Sequence, residues 1–291
     1  MDRRLRTNLV LVAVLAAAAL LIIYGPEPGN EPRGVPLIES DEKISRIAVF
    51  EGNGETDELR FALERSNETW ELVAPVELPA AMFQVDALLG ALREPASRRY
   101  PMSEADPAAL GLAAPQWRVE VDARELRLGD RTALGVQRYV QMGDHVYLVN
   151  DLLSYRLQRN PFDYASKNVL PEDEKIQAIQ LPSGQRLERS GNSWMIEPED
   201  DSLSTDALQA TISAWRNARA LRVAPANSVP RDGEVQVEFA NGEMLRFGVE
   251  IRDDELLLSR ADPAVTYILP LAAADELLQV TRHSSTETDA R

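Results

Sequence analysis

The sequence predicts an α+β fold: an N-terminal transmembrane helix followed by two duplicated, mainly antiparallel α+β units. Three observations predict it. One long apolar run stands near the start, at Leu9–Tyr24. Sequence motifs then recur in the same order along the chain, which marks an internal repeat. Within each copy, short stretches alternate apolar and polar residues, and helical-period segments interrupt them without strict strand–helix alternation.

The N-terminal run comprises sixteen residues, LVLVAVLAAAALLIIY, and spans roughly 24 Å as a helix. Thr7, Asn8 and Gly25 extend it toward the hydrocarbon thickness, so residues 7–25 are expected to lie in a membrane. Arg3, Arg4 and Arg6 precede it, which keeps the N-terminus cytoplasmic and exports the remainder. Ala16–Ala19 offers small residues for signal cleavage. Cleavage there would leave a greasy new end at Leu20–Ile23, so an uncleaved anchor over residues 1–24 is the expectation. Residues 25–36 carry Pro26, Pro28, Pro32 and Pro36 with Gly25, Gly29 and Gly34, the composition of a semi-stiff linker. This arrangement is expected to hold an exported body at a membrane by a single pass.

The repeat is read from five collinear matches. Leu37–Ile47 resembles Val169–Ile179 at an offset of 132. Leu63-Glu64-Arg65-Ser66, with Trp70, returns as Leu187-Glu188-Arg189-Ser190 with Trp194 at an offset of 124. Asp86-Ala87-Leu88 matches Asp206-Ala207-Leu208, Val119–Val121 matches Val237–Phe239, and Val146–Val149 matches Thr266–Leu269. Unit 1 is therefore 37–168 and unit 2 is 169–280, with a polar tail over 281–291.

Each unit reads as three strands, a helix, four strands and a closing helix. In unit 1 the strands are Ile44–Phe50, Glu58–Leu63 and Glu68–Val73. Val85, Leu88, Leu89 and Leu92 repeat at helical spacing over Gln84–Leu92. A loop containing Pro101, Pro107 and Pro115 follows, then Trp117–Val121, Glu125–Leu128, Arg138–Gln141 and His145–Val149, separated by turn residues. Leu152–Leu157 closes the unit. In unit 2, Leu208, Ile212 and Trp215 mark the helix, with Ser202 and Ser204 as N-cap candidates, and Ala272–Leu278 closes.

Composition excludes much chemistry. The 291 residues hold no cysteine and only two histidines, which removes disulfides, thiolate metal sites and a cysteine nucleophile. With 31 basic and 47 acidic side chains the net charge is −16, and it is −18 once Asp2, Arg3, Arg4 and Arg6 are set aside with the anchor. Nucleic acid is thus not an expected partner, and no cofactor is expected. His145 has no visible metal partners at ligand spacing and reads as a turn residue; His283 lies in the tail. The acidic clusters Glu199-Asp200-Asp201 and Asp253-Asp254-Glu255 lack the pattern of a calcium loop. Ser66 and Ser190 have no nucleophile elbow around them. Trp70 and Trp194 are ordinarily buried strand aromatics, and the sharper reading makes them ligand-stacking platforms. Arg98, Arg99 and Tyr100, with Arg138 and Tyr139, could join as a basic aromatic patch for an anionic partner, although solvated or salt-bridged arginine is the ordinary reading.

Together these features resemble the bacterial domain-of-unknown-function family 4340. The likeness is carried by Lys43-Ile44 and Ile47, Thr69–Leu72 before Pro75 and Pro79, Val85–Leu89, Leu110-Gly111-Leu112 before Pro115, Leu126–Asp130, Arg138-Tyr139-Val140 and Val146–Val149. Unit 2 lacks the Leu-Gly-Leu and Arg-Tyr elements. The resemblance implies an envelope protein associated with components of gliding-motility-type ABC transporters, and it implies no catalytic residues. The expectation is a non-enzymatic accessory or scaffold for an envelope complex, with an ABC-type transporter component as partner. The alternatives are a module binding a small glycan or lipid in a cleft between the units, and a hydrolase using two carboxylates.

Overall fold

The computed structural model describes residues 34–39, 41–52, 56–228, 230 and 233–280. The expected anchor over 1–24, residues 25–33 of the linker and the tail over 281–291 lie outside the described residues. Among the described residues no helix is long and apolar enough to cross a membrane.

Unit 1 runs β1 (Arg46–Glu51), β2 (Glu58–Ser66), β3 (Thr69–Ala74), β4 (Leu78–Pro79), α1 (Met82–Leu92), β5 (Arg98–Pro101), β6 (Trp117–Val121), β7 (Arg124–Arg131), β8 (Gln137–Met142), β9 (His145–Asn150) and α2 (Leu152–Leu157). Unit 2 runs β10 (Ile176–Gln180), β11 (Arg186–Ser190), β12 (Ser193–Glu197), α3 (Thr205–Arg216), β13 (Arg222–Pro225), β14 (Glu234–Phe239), β15 (Met244–Arg252), β16 (Glu255–Ala261), β17 (Ala264–Pro270) and α4 (Ala272–Leu277). Among the described residues the strands form two antiparallel sheets, ordered β4-β3-β2-β1-β6-β7-β8-β9-β5 and β12-β11-β10-β14-β15-β16-β17-β13. Apart from the two-residue β4, the orders are the same. Among the described residues the helices are few and short beside the sheets.

Three strands have no counterpart in the sequence reading: β4, β5 and β13. The last two are four residues long and lack apolar alternation. They form because each completes a ladder with a distant strand, Arg98 opposite Leu148 and Arg222 opposite Ile268. Both end in proline, which a sheet tolerates at its edge.

Alternation decides which sheet face is buried. In unit 1, Leu63, Ile47 and Val121 are lateral neighbours, as are Phe61, Val49, Val119 and Leu126. All of these are buried, and α1 packs Val85, Leu88 and Leu92 into the same cluster. Tyr164 stacks on Phe61 with ring centroids 4.5 Å apart. The opposite face carries Arg46, Glu64, Arg118 and Glu120, joined by ion pairs such as Arg46–Glu64 at 3.0 Å. Fully burying an aliphatic or aromatic side chain contributes about 1.5–3 kcal/mol, so the apolar face dominates stability and the charges do little. Unit 2 repeats the plan with Leu187, Ile179, Val237, Phe247 and Leu258 beneath Ile212 and Trp215 of α3. Ser204 caps α3, its Oγ accepting from the Ala207 N–H at 3.2 Å, whereas Ser202 donates to Asp200.

The ladders set the repeat's register residue by residue. Ile47 lies opposite Leu63 and Val121; Ile179 lies opposite Leu187 and Val237. Val237 is thus the structural counterpart of Val121, two residues from the sequence match. The repeat also reaches upstream of residue 37. The Ala96 N–H donates to Val35 O at 3.1 Å, and Ala220 donates to Lys167 O at 2.8 Å, the same contact in the second copy. The segment 165–169 ties the copies together: Ser166 donates to Pro79 O at 2.7 Å in unit 1 and Val169 donates to Ala218 O at 3.0 Å in unit 2.

Glycines are required where the 102–116 loop meets β7. A Cβ on Gly129 would stand 2.2 Å from Leu110 O, and Gly111, at φ +67°, would meet the Asp130 carboxylate at 2.5 Å. This contact explains the Leu-Gly-Leu and Leu-Gly-Asp elements together: two glycines let two backbones touch.

Candidate functional site

The repeat supplies an internal comparison. Positions that both units keep are accounted for by the fold; side chains found in one unit alone need another reason. Trp70 and Trp194 stand at equivalent ladder positions and are buried, at 4% and 8% exposure, so packing accounts for both. Trp194 also lines an open cleft of about 890 Å³ with Glu199, Asp200 and Asp201.

The other candidate residues gather on β5, β8 and β9 of unit 1, but not as one patch. Neighbours along a strand point to opposite faces. Arg98, Leu148 and Tyr139 form one lateral row, and Tyr100, Val146 and Gln141 form the next row on the same face. Arg99 and Arg138 belong to the other face. The structure therefore unites Arg98, Tyr100 and Tyr139 and separates the remaining two arginines, each of which acquires its own surroundings.

Arg138 enters a buried ionic cluster. Its Nε donates to Asp151 Oδ1 at 2.7 Å, its Nη1 donates to Gly129 O, and Arg131 Nε donates to Asp151 Oδ2. Asp151 is 5% exposed. Burial pushes its carboxyl up, but hydrogen bonds from Arg138 and Ser154, the Arg138 charge and the bond from Arg131 outweigh this and hold it below the usual carboxylate range. The Arg131 guanidinium lies 5.5 Å from the Tyr155 ring centroid.

Around that cluster unit 1 exposes apolar side chains. Leu134 and Val136 lie between β7 and β8, and Leu152 and Tyr155 lie on α2; their exposures are 87%, 64%, 49% and 60%. The Asp151 N–H donates to Val136 O at 3.2 Å, which holds the two segments side by side. Unit 2 joins β15 to β16 through Asp253 and Asp254 alone.

Arg99 lies at the sheet edge, beside a cleft of about 580 Å³ that Arg124, Arg127, Glu125, Asp144, His145 and Tyr147 also line. Asp144 Oδ1 is 2.5 Å from His145 Nδ1, and Arg99 Nη2 is 3.0 Å from Nε2 and 3.2 Å from Nδ1. One guanidinium nitrogen thus lies within reach of both ring nitrogens, while Asp144 approaches the ring at Nδ1. The guanidinium also lies 5.6 Å from the Tyr147 ring centroid.

Sequence reasoning missed Asp151, Arg131, Leu134, Val136, Leu152, Tyr155 and the engagement of His145. The signal for Asp151 was its place between a strand and a helix start; that for Leu134 and Val136 was an apolar pair inside a turn that unit 2 lacks. Among the described residues no group of histidine or acidic side chains is arranged to hold a metal ion.

This fold and site define a class: a repeated antiparallel-sheet protein whose helices cover one sheet face and whose first copy carries arginine and apolar surface side chains that the second replaces. The chain belongs to the family described as a domain of unknown function, DUF4340, which matches residues 70–233, more than half its length. The match begins at Trp70, includes the whole unit-1 site and runs into unit 2. No curated protein sequence and no solved structure matches the chain.

Proposed function

We propose that the protein is a non-enzymatic, single-pass inner-membrane protein whose duplicated periplasmic body docks a protein partner in an envelope complex, with an ABC-type transporter component as that partner. The observation that carries this reading is the exposed set Leu134, Val136, Leu152 and Tyr155. Clustered exposed apolar side chains mark contact surfaces. The second copy builds the same sheet with a two-residue turn, so folding does not require Leu134 and Val136. A membrane anchor at residues 7–25 would confine the body near membrane partners and raise their effective concentration.

Two measurements test this. Affinity purification of the full chain from gently solubilised membranes is expected to recover a membrane-protein partner, and Leu134→Asp is expected to reduce that recovery by about tenfold, the scale of one hot-spot contact. Equal recovery with the variant, or no partner, overturns the docking surface. Separately, alkaline carbonate washing is expected to leave the full-length protein in the membrane pellet; its release to the supernatant contradicts the anchor.

A further inference from the structure

We infer that the cleft at the outer edge of unit 1 binds a small phosphate-bearing ligand, with Arg99 as its main anchor, Arg124 on its rim and Arg127 lining it from the other sheet face. This stands on the cleft alone and goes beyond the docking surface.

Three observations carry it. The first is the pairing of the arginines. Arg124 reaches Glu42 at 2.8 Å and Arg127 reaches Glu125 at 2.7 Å, and all four side chains are at least 31% exposed, so these pairs are weak and can exchange. Arg99 has no carboxylate partner among the described residues; its contacts are the His145 imidazole and the Tyr147 ring. A guanidinium held in place by ring contacts keeps its charge and most of its donors for an anion.

The second is charge. Three arginines against Glu125 and Asp144 make the lining positive, while the whole chain is at −16. Local charge of the opposite sign in a strongly acidic protein focuses an anionic ligand there.

The third is the internal comparison. The ladders match Tyr147 to Tyr267, Arg99 to Val223, His145 to Val265, Arg124 to Leu245 and Arg127 to Gly248. The buried tyrosine is kept, whereas the three arginines and the histidine are all absent from unit 2. The same sheet forms without them, so they answer to something other than folding. The cleft volume of about 580 Å³ suits a small molecule or a headgroup.

Titration calorimetry of the full chain with inorganic phosphate and with glycerol 3-phosphate tests this. We expect saturable binding of at least one probe below about 10 mM. Binding of the glycerol ester at least about tenfold tighter than inorganic phosphate assigns a lipid-type headgroup; comparable binding assigns free phosphate. Arg99→Val places the unit-2 residue at this position and is expected to weaken binding about tenfold or more with an unchanged melting temperature. Arg127→Gln, at an exposed position, is expected to weaken it about threefold and serves if the first variant misfolds. Absence of binding by the unaltered chain, or unaltered affinity in a folded variant at Arg99 together with Arg127→Gln, overturns the inference.

Discussion

Replacing Asp151 with leucine is expected to destabilise the protein by about 3–5 kcal/mol, and adding Arg138→Leu in the same chain to recover most of that loss. The single change strands Arg138, whose side chain is only 13% exposed, without its counter-charge. The cost is that of a buried unpaired guanidinium, and it disappears when the guanidinium goes too. Unit 2 supplies the precedent: the ladder counterpart of Arg138 is Leu256, fully buried, and that of Asp151 is Leu271. Urea unfolding of the parent, both single variants and the double variant closes the cycle. A loss below about 1 kcal/mol in Asp151→Leu, or no recovery in the double variant, contradicts this account. The same cluster gives a pH dependence of definite sign. The Asp151 carboxyl is held below the usual range in the folded state, so its stabilisation is complete above the ordinary carboxylate pKa and is lost as pH falls toward the depressed folded value. The double variant should lack that component of acid sensitivity.

Trp215→Ala is expected to cost about 3–5 kcal/mol. The indole is fully buried between α3 and the sheet, 5.9 Å from the Phe247 ring centroid, and its Nε1–H donates to Leu277 O at 2.8 Å. Truncation removes this packing, leaves a cavity and orphans a carbonyl near the end of α4. Trp215→Phe keeps much of the ring contact and loses only the donor, so its expected cost is smaller, about 1–3 kcal/mol. Denaturant midpoints of the two variants check the order. Equal losses would mean that the hydrogen bond, and not the ring, holds α4 in place.

Much of this fold was legible in the sequence because its signals are local. Alternation at Trp117, Val119 and Val121 placed a strand, and the spacing of Val85, Leu88 and Leu92 placed a helix. The paired Leu-Glu-Arg-Ser and tryptophan motifs make the repeat visible in the sequence alone. What escaped was long-range. β5 has no alternating apolar residues of its own and exists because β9, about fifty residues later, pairs with it. Without that strand, Arg98 and Arg99 read as one basic patch; with it, the two-residue period sends them to opposite faces. The ionic cluster was invisible for a similar reason: Arg131, Arg138 and Asp151 meet only because β7, β8 and the start of α2 converge.

The sequence by itself determined the repeat, the membership of a known family, the order of most elements and the exclusion of cysteine chemistry and of a histidine-rich metal site. Those properties follow from composition and from patterns a few residues long. Only the tertiary structure decided which arginines share a face, which are buried with a carboxylate, and which side chains of unit 1 have no counterpart in unit 2. These depend on strand register, and register is set by which distant strand supplies the neighbouring hydrogen bonds, a choice that no short stretch of sequence contains.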